Sequence, residues 1–216
     1  MKKLFAISLL AASFVSNAAL AKTEGSYVGI DLLNTKVKFY ERYTNSTTPT
    51  ATDRKPSFSH SDYGFGLHYN YALNANGLFV APGVFWELNN STVNGHGDTQ
   101  DLQRLKIKNR YGLKLDVGGD ITNVIAPYLT GGYVAIHHNG REYFSGNNTR
   151  SRSSTSMEWF YGAGVKFNCD KETAVSIEYT TQSFDVRNFV DGNTVNLDSR
   201  FRTRMDVLKF GVSYRF

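Results

Sequence analysis

Ten ionisable residues lie where they could share one enclosed space inside a folded protein. In an extended chain successive side chains point to opposite faces, and each of these residues lies opposite a row of apolar side chains. They are Asp31, His68, Glu87, Lys114, Asp116, Glu158, Lys166, Glu178, Lys209 and Arg215. Such a group could form a catalytic constellation, a conducting pore, or a packed interior in which opposite charges neutralise one another.

We favour the packed interior, because an unpaired charge is costly in an enclosed space. All of the ten except Glu158 and Arg215 form the predicted lumen charge network. Within this network we predict that Glu178 lies between Lys166 and Lys209.

Eight segments of alternating apolar and polar residues must position this charged face. They are Ser26–Phe39, Asp62–Leu73, Gly77–Leu88, Leu105–Gly119, Ile125–His137, Met157–Asn168, Thr173–Phe184 and Met205–Phe216. A period of two predicts strands with one apolar face, most clearly where Tyr63, Phe65 and Leu67 alternate with glycines and polar residues. The facing of Ile125–His137 stays open, because both of its faces are mostly apolar or small.

Two segments carry specific expectations about facing. In the first, the apolar parity slips near Asn34, so we predict a bulge that brings Val37 and Phe39 onto the apolar outer face. In the fourth, Leu105 and Ile107 share the parity of the other apolar residues and are predicted to face outward.

The connections between the segments alternate between long and short. The long ones are polar and have no apolar period, and they are Tyr40–Ser61, Asn89–Arg104, Asn139–Ser156 and Asp185–Arg204. The short ones are Asn74–Asn76, Asp120–Val124 and Cys169–Glu172. Strands of about ten residues can cross a bilayer at a tilt. The pattern therefore predicts an all-β, eight-stranded antiparallel up-and-down transmembrane β-barrel with both termini in the periplasm.

Residues 1–21 predict a signal peptide, and residues 22–216 a single barrel domain. Lys2 and Lys3 precede the apolar run Leu4–Val15, and Ala19 and Ala21 form a small-x-small cleavage site. Removal of this leader lowers the formal net charge from +5 to +3, which does not indicate a nucleic-acid partner. The chain has one cysteine, Cys169, so it has no intramolecular disulfide.

The last segment has a regular apolar face and an aromatic carboxyl terminus. Leu208, Phe210, Val212, Tyr214 and Phe216 share that face. The pattern is similar to the signal that outer-membrane barrels present to the barrel assembly machinery. These five residues are therefore the predicted assembly signal.

Five stretches resemble the opacity-protein and outer-membrane-protein-A-like family of eight-stranded outer-membrane barrels, of the surface-antigen type. They are Gly25–Gly29, Gly77–Glu87, Ala126–Tyr133, Tyr161–Phe167 and the terminal F-G-V-S-Y-R-F. The resemblance covers the strands and none of the long loops. It implies a monomer in the bacterial outer membrane with its loops at the cell surface. Members of this family commonly act as surface antigens, adhesins for host components or passive envelope proteins.

The residues do not match the enzymes known among small barrels. Lipid A deacylase barrels use a Ser two residues after a His, and none of the five histidines has one. The His-x-Asp triplets that begin at His60 and His96 resemble barrel proteases only in part, because those need a larger barrel. His137 and His138 point apart in a strand, which disfavours a metal site. We predict no catalytic residue, no metal and no cofactor.

Arg200, Arg202 and Arg204 recur at every second position before the last segment. They continue the parity of Leu208 and Phe210, so they would face outward at the height of the outer leaflet. There the planar guanidinium groups could contact lipopolysaccharide phosphates. A solvated loop is the equally weighted alternative.

The sequence thus predicts an outer-membrane surface protein whose four polar loops recognise host or envelope partners. A narrow porin-like channel for ions or small solutes is the alternative. A third reading, a soluble ligand-binding barrel, would need an apolar interior and a polar exterior. The loops contain no motif that identifies a host surface or matrix protein.

Overall fold

β-Strands make up the regular structure in the part of the chain that the computed structural model describes, residues 23–45, 48–53, 58–96, 102–144, 148–187 and 200–216. They are β1 Gly25–Asn45, β2 Thr48–Asp53, β3 Phe58–Ala75, β4 Leu78–Asn89, β5 Thr92–His96, β6 Leu102–Gly119, β7 Ile125–Phe144, β8 Asn148–Asn168, β9 Thr173–Arg187 and β10 Arg200–Arg215. None of these residues forms a helix of the length and apolar character needed to cross a membrane. The signal peptide predicted for residues 1–21 lies outside the described ranges.

Eight of the strands form the wall of a closed barrel. The order β1, β3, β4, β6, β7, β8, β9 and β10 is antiparallel throughout, and β10 pairs with β1 to close it. This closing ladder runs from Tyr27 opposite Arg215 to Arg42 opposite Arg200. The short strands β2 and β5 pair with β1 and β6 respectively. The predicted all-β, eight-stranded antiparallel barrel is therefore confirmed.

The two ends of the barrel differ. At the turn end, short connections join the wall strands, and Asn76 and Gly77 have φ values of 55° and 86°. Two residues with positive φ form the hairpin turn that matches the twist of the flanking strands. The predicted turn Asn74–Asn76 therefore lies too early, since β3 continues to Ala75.

At the loop end, the wall strands continue into segments that were predicted to be long loops. The β7–β8 ladder extends from Ile125 opposite Phe167 to Phe144 opposite Asn148. The sequence of these outer parts is rich in polar residues and lacks the apolar alternation that indicates a lipid-facing strand.

An apolar belt surrounds the outside of the wall between the turn end and the level of Tyr63 and Trp159. Its large exposed residues include Val28, Ile30, Leu32, Tyr63, Phe65, Leu67, Leu73, Leu113, Leu129, Trp159, Tyr161, Phe210 and Tyr214. On β7, Leu129 and Tyr133 belong to this belt, whereas Ala126, Tyr128 and Thr130 are buried in the lumen. The facing that the sequence left open for this strand is thereby assigned.

The bulge predicted for the first strand is wrong. The register of β1 with β3 and with β10 contains no shift from Tyr27 to Phe39. Leu33 and Val37 are both buried inside the barrel, and Lys36 takes an exposed outer position. The side chain of Phe39 lies outside the described residues.

The outward facing predicted for Leu105 and Ile107 is also wrong. Both side chains are buried inside the barrel, because β6 has a register shift between Ile107 and Asn109 that leaves Lys108 exposed. Beyond the apolar belt the outside is polar, so burial of apolar surface favours the lumen.

Candidate functional site

Ion pairs link charged side chains across the middle of the lumen, and we call this group the charged layer. Glu87 on β4 lies 3.0 Å from Arg110 Nε and 2.8 Å from Lys209 Nζ. Lys209 Nζ is also 2.8 Å from Glu178 Oε1. Glu178 and Lys209 face each other in the β9–β10 register, and Glu87 and Arg110 do so in the β4–β6 register. Lys209 reaches Glu87 across the lumen, because β10 and β4 are not neighbours.

The charged layer continues from Glu178 towards the opposite wall. Lys114 Nζ lies 3.3 Å from Glu178 Oε2 and 3.0 Å from Asp116 Oδ2. The Tyr128 hydroxyl donates to Glu178 over 3.1 Å, and the Asn70 amide donates to Asp116 over 3.2 Å. Each carboxylate is therefore held by more than one group, as a buried charge requires.

Asp31, His68 and Lys166 complete the layer. Asp31 and His68 Nδ1 lie 2.8 Å apart on neighbouring strands. Lys166 is nearer the turn end, and its Nζ lies 4.2 Å from the centre of the Tyr27 ring and 5.9 Å from that of Phe79. A cation over an aromatic face gains a favourable electrostatic interaction that partly offsets its burial.

The charges of the layer balance. Four carboxylates stand against four cations, the former being Asp31, Glu87, Asp116 and Glu178 and the latter Arg110, Lys114, Lys166 and Lys209. A cavity of about 10 Å³ lies within the layer, lined by six of these eight side chains, all except Glu87 and Arg110. That is room for about one water molecule. The layer therefore has the features of a packed polar interior rather than those of a binding pocket.

The structure places all eight residues of the predicted lumen charge network inside the barrel. Of the two partners predicted for Glu178, Lys209 is observed and Lys166 is not. The second partner of Glu178 is Lys114, and Lys166 packs on the Tyr27 ring instead. Glu158 is only half-buried nearer the loop end, and Arg215 lies at the turn end.

Sequence reasoning missed Arg110 as a member of the layer. It is the largest fully buried side chain of the described residues, and it pairs with a Glu87 that is 0% exposed. Arg110 has the same parity as Lys114 and Asp116, so the signal was present in the alternation of its strand.

An apolar layer fills the lumen between the charged layer and the loop end. It consists of Leu33, Val37, Phe85, Val93, Leu105, Ile107, Val134, Ile136, Phe160, Phe184, Met205 and Val207. Phe85 and Phe160 meet edge to face at 5.5 Å, and Lys209 Nζ lies 5.0 Å from the Phe85 ring centre. The two layers are thus in direct contact, and both obstruct the barrel axis.

The turn end is closed by a third set of contacts. Asp120 accepts hydrogen bonds from the Thr23 amide at 3.1 Å, the Thr23 hydroxyl at 2.6 Å and the Asn74 amide at 2.7 Å. The Asn168 amide donates to the Thr23 hydroxyl at 3.3 Å. Thr23 is fully buried, so the start of the described chain fills the barrel mouth.

Basic side chains lie on the outer wall on the loop side of the apolar belt. Four of them form what we call the basic rim, and they are Lys36, Lys38, Arg202 and Arg204. Asp206 lies among them, 3.2 Å from Lys38 Nζ and 3.0 Å from Arg204 Nε, and it accepts a 2.7 Å hydrogen bond from Thr181. Arg202 and Arg204 are exposed, whereas the side chain of Arg200 lies outside the described residues.

Residues 7–216 match the family model for the outer membrane protein beta-barrel domain. The chain belongs to this family. It is therefore a transmembrane barrel of the outer membrane, and the apolar belt is its lipid-facing surface. No curated protein sequence matches the chain.

Solved structures of outer-membrane barrels are similar to this barrel. OprG of Pseudomonas aeruginosa is 13% identical, with a TM-score of 0.54 over 91% of this chain and 98% of that one. Ail of Yersinia pestis is 17% identical, with a TM-score of 0.48 over 90% and 100%. Neisserial surface protein A is 16% identical, with a TM-score of 0.48 over 89% and 98%. At these identities the likeness concerns the fold.

Neither candidate for histidine chemistry in this outer-membrane barrel is part of a cluster. His60 Nε2 lies 3.3 Å from Asp62 at the exposed loop end, and His137 and His138 bond separately to Thr155 and Ser156. Across the described ranges, no three His, Cys, Asp or Glu side chains are grouped as metal ligands would be. The triplet at His96 lies largely outside these ranges.

The predicted assembly signal lies on the lipid-facing side of β10. Phe210, Val212, Tyr214 and Phe216 are exposed there, and Leu208 is half-buried. Cys169 is buried in the turn between β8 and β9, where its thiol lies 3.6 Å from the Phe167 carbonyl oxygen. Burial raises the pKa of this thiol, so the reactive thiolate is disfavoured.

Proposed function

We propose that this outer-membrane barrel acts by recognition at its loop end, which it exposes at the cell surface, and not by transport or catalysis. The observation that supports this proposal is that side chains in the described ranges pack the middle of the lumen. The charged layer leaves about 10 Å³, and the apolar layer lies directly above it. A conducting path would need a continuous polar opening, and an enzyme would need a space for substrate.

The geometry of the loop end also supports recognition. The β7–β8 hairpin stays paired up to Phe144 and Asn148, well beyond the lipid-facing belt. Its outer part carries cross-strand hydrogen bonds between polar side chains, including Asn139 with Ser151 and Ser153 at 3.1 Å each. A rigid wall that presents variable polar segments is a common scaffold for binding. The partner is a host surface or matrix protein.

Two measurements on the full-length protein test this proposal. In planar bilayers we expect a conductance equal to that of protein-free bilayers, because both lumen layers are closed. Bacteria that display the protein should adhere to immobilised host matrix, and adhesion should fall when residues 139–156 are replaced by a short turn. Faster migration of the unheated protein on a detergent gel controls for barrel folding. Steady ion conductance without a gain in adhesion would instead favour the narrow channel.

An envelope partner is proposed for the basic rim, namely the phosphates of lipopolysaccharide in the outer leaflet. Lys36, Lys38, Arg202 and Arg204 lie on the loop side of the lipid-facing Leu208, beyond the end of the belt. Asp206 compensates one of the four charges and holds Lys38 and Arg204 in place. We also propose that the protein is a monomer and that the barrel assembly machinery recognises its last strand during insertion.

Replacing Arg200, Arg202 and Arg204 together with glutamine should weaken binding of phosphorylated lipid A to the purified protein. Each lost charged hydrogen bond contributes about 1.5–3 kcal/mol where it is shielded from water, and less where it is exposed. Binding should be compared with dephosphorylated lipid A, for which the variant and the wild type should agree. Unchanged binding of the phosphorylated form would reject the phosphate contact.

A further inference from the structure

The wall of the barrel opens on one side of β8 at the loop end. β8 pairs with β7 along its whole length, up to Asn148. It pairs with β9 only from Phe160 to Asn168. β9 continues to Arg187 but pairs there with β10. Within the described ranges, the outer half of β8 therefore has a strand on one side and none on the other.

The backbone groups that point to this open side can be identified from the turn end. The Asn168 amide donates to the Val124 carbonyl, on the β7 side, over 2.8 Å. The Cys169 amide donates to the Thr173 carbonyl, on the β9 side, over 2.9 Å. Hydrogen-bonding direction alternates along a strand, and the β7–β8 register has no shift. The odd-numbered residues Ser153, Thr155 and Met157 thus direct their N–H and C=O groups to the open side.

The central part of this edge, Ser153–Met157, lacks the usual protection against an added strand. Soluble proteins protect exposed edges with charged residues, proline or bulges. Ser153–Met157 contains no charge and no proline, and its ladder with β7 is regular. Ser153, Thr155 and Met157 are exposed, Met157 at 60%.

The open edge begins where the lipid-facing belt ends. Trp159 is the last aromatic residue of the belt on β8 and meets Tyr133 edge to face at 5.1 Å. Unpaired backbone groups within the hydrocarbon region would be very costly. Ser153–Met157 lies on the loop side of Trp159, beyond the belt, and its exposed backbone groups can exchange solvent for a partner strand.

We propose that the open edge of β8 binds an extended segment of an extracellular protein as an added β-strand. In this mode the backbone groups of the edge supply the hydrogen bonds and the alternate side chains supply selectivity. The inference rests on the proposed function, because it requires the loop end to face the outside of the cell.

A second copy of this chain fits the edge poorly. Two barrels with the same orientation in one membrane are related by an axis along the membrane normal, so their β8 edges could pair only in parallel. Parallel pairing is slightly less stable per residue, and it would place Glu158 beside Glu158 of the other copy. A segment that arrives from solution has neither constraint.

The charges around the edge indicate the chemistry of the segment. Arg152 lies on β8 itself towards the outer end of the edge, and Glu158 lies on β8 at its membrane end. A complementary segment has an uncharged, β-branched centre, an acidic residue at its outer end and a basic residue at its membrane end.

Hydrogen exchange on the full-length protein in lipid nanodiscs tests the proposal directly. The probes are two peptides with an alternating Thr-Val centre, one with Asp first and Lys last and one with these ends reversed. Because β8 runs from the loop end to the turn end, an antiparallel segment starts at the membrane end, and the peptide with Lys first and Asp last should slow exchange of the Ser153, Thr155 and Met157 amides by about tenfold or more. The Ser154 and Ser156 amides, which bond to β7, should change little. If neither peptide slows the odd-numbered amides, the proposal is wrong.

Proline substitutions supply a matched pair of variants. Thr155→Pro removes an N–H from the open edge, where proline is tolerated, and should abolish peptide protection while the hairpin stays intact. Ser154→Pro removes an N–H from the β7 ladder and should instead raise exchange throughout the outer hairpin. Thr155→Lys adds an edge charge and should also block the peptide. Peptide protection that persists in both Thr155 variants would overturn the proposal.

Bacterial adhesion separates this inference from the proposed function. We expect Thr155→Pro to reduce adhesion to host matrix as strongly as the shortened hairpin does. Wild-type adhesion in the Thr155→Pro variant would overturn the edge as the site of recognition and leave the recognition function standing. Absence of adhesion by the wild type would overturn the proposed function. The peptide experiment alone would then decide whether the β8 edge binds an added strand.

Discussion

Replacing Glu178 with glutamine should lower the free energy of unfolding by about 3–5 kcal/mol, because it removes the shared partner of two buried cations. Glu178 lies 2.8 Å from Lys209 Nζ and 3.3 Å from Lys114 Nζ, and all three side chains are buried. Glutamine keeps the shape of the side chain but leaves the lumen with one uncompensated positive charge. Urea unfolding of the protein in lipid vesicles, followed by tryptophan fluorescence, measures the change.

A double-mutant cycle attributes this loss to the ion pair. Lys209→Met alone leaves Glu178 and Glu87 with fewer partners, whereas the double variant removes one charge of each sign. The double variant should therefore lose less stability than the sum of the single variants, with a coupling of about 1–3 kcal/mol. Glu24→Gln, at an exposed position, is the control and should change stability little. Additive single effects would show that the charged layer does not act as a network.

The apolar belt was predictable from the sequence because it follows one local rule. A strand that crosses a bilayer must present apolar side chains to lipid at every second position, and Tyr63 to Leu73 on β3 does so without interruption. The eight wall strands of the closed barrel were predicted by applying the same rule to each segment. The Glu178–Lys209 contact was also predictable, since the two residues face each other on neighbouring strands.

The errors arose where the strands leave the lipid. On the loop side of the belt the outside is water, so the apolar side chains move to the lumen. In β1 this change appears as a slip in parity, because Leu32 lies outside and Val37 lies inside although the backbone register does not shift. The sequence alone does not distinguish a change of surroundings, from lipid to water, from a bulge in the backbone. In β6 the parity of the sequence is unbroken, and a real register shift beside Lys108 reverses the facing instead.

Contacts across the lumen could not be predicted from the sequence, for a different reason. Lys114 reaches Glu178 from a strand that is not its neighbour, and Lys166 packs on Tyr27 because that ring lies at its height in the barrel. Such contacts depend on strand tilt and stagger, which alternation does not determine. The open edge of β8 is likewise a property of the register, because it exists only where the pairing with β9 stops.

Replacing Leu67 with arginine should destabilise the barrel by about 2–4 kcal/mol, because it places a charge at the middle of the lipid-facing belt. Leu67 is 47% exposed on the outer face of β3, with Ile30 and Trp86 as its neighbours on the adjoining strands. An arginine there can reach water only by distorting the bilayer around it. Reversible unfolding in vesicles of a phosphatidylcholine with a hydrocarbon core of about 30 Å measures the effect.

Leu73→Arg is the matched control, since Leu73 lies on the same face of the same strand but next to the turn end. Leu73 is 57% exposed, so the two positions differ in depth more than in accessibility. Near the interface an arginine reaches the headgroups, and the expected cost is about 0–1 kcal/mol. Equal costs at the two positions would mean that this face does not lie against lipid. A large cost at Leu67 with a small one at Leu73 requires a hydrophobic slab centred on the middle of the strand, which only a membrane-spanning barrel has.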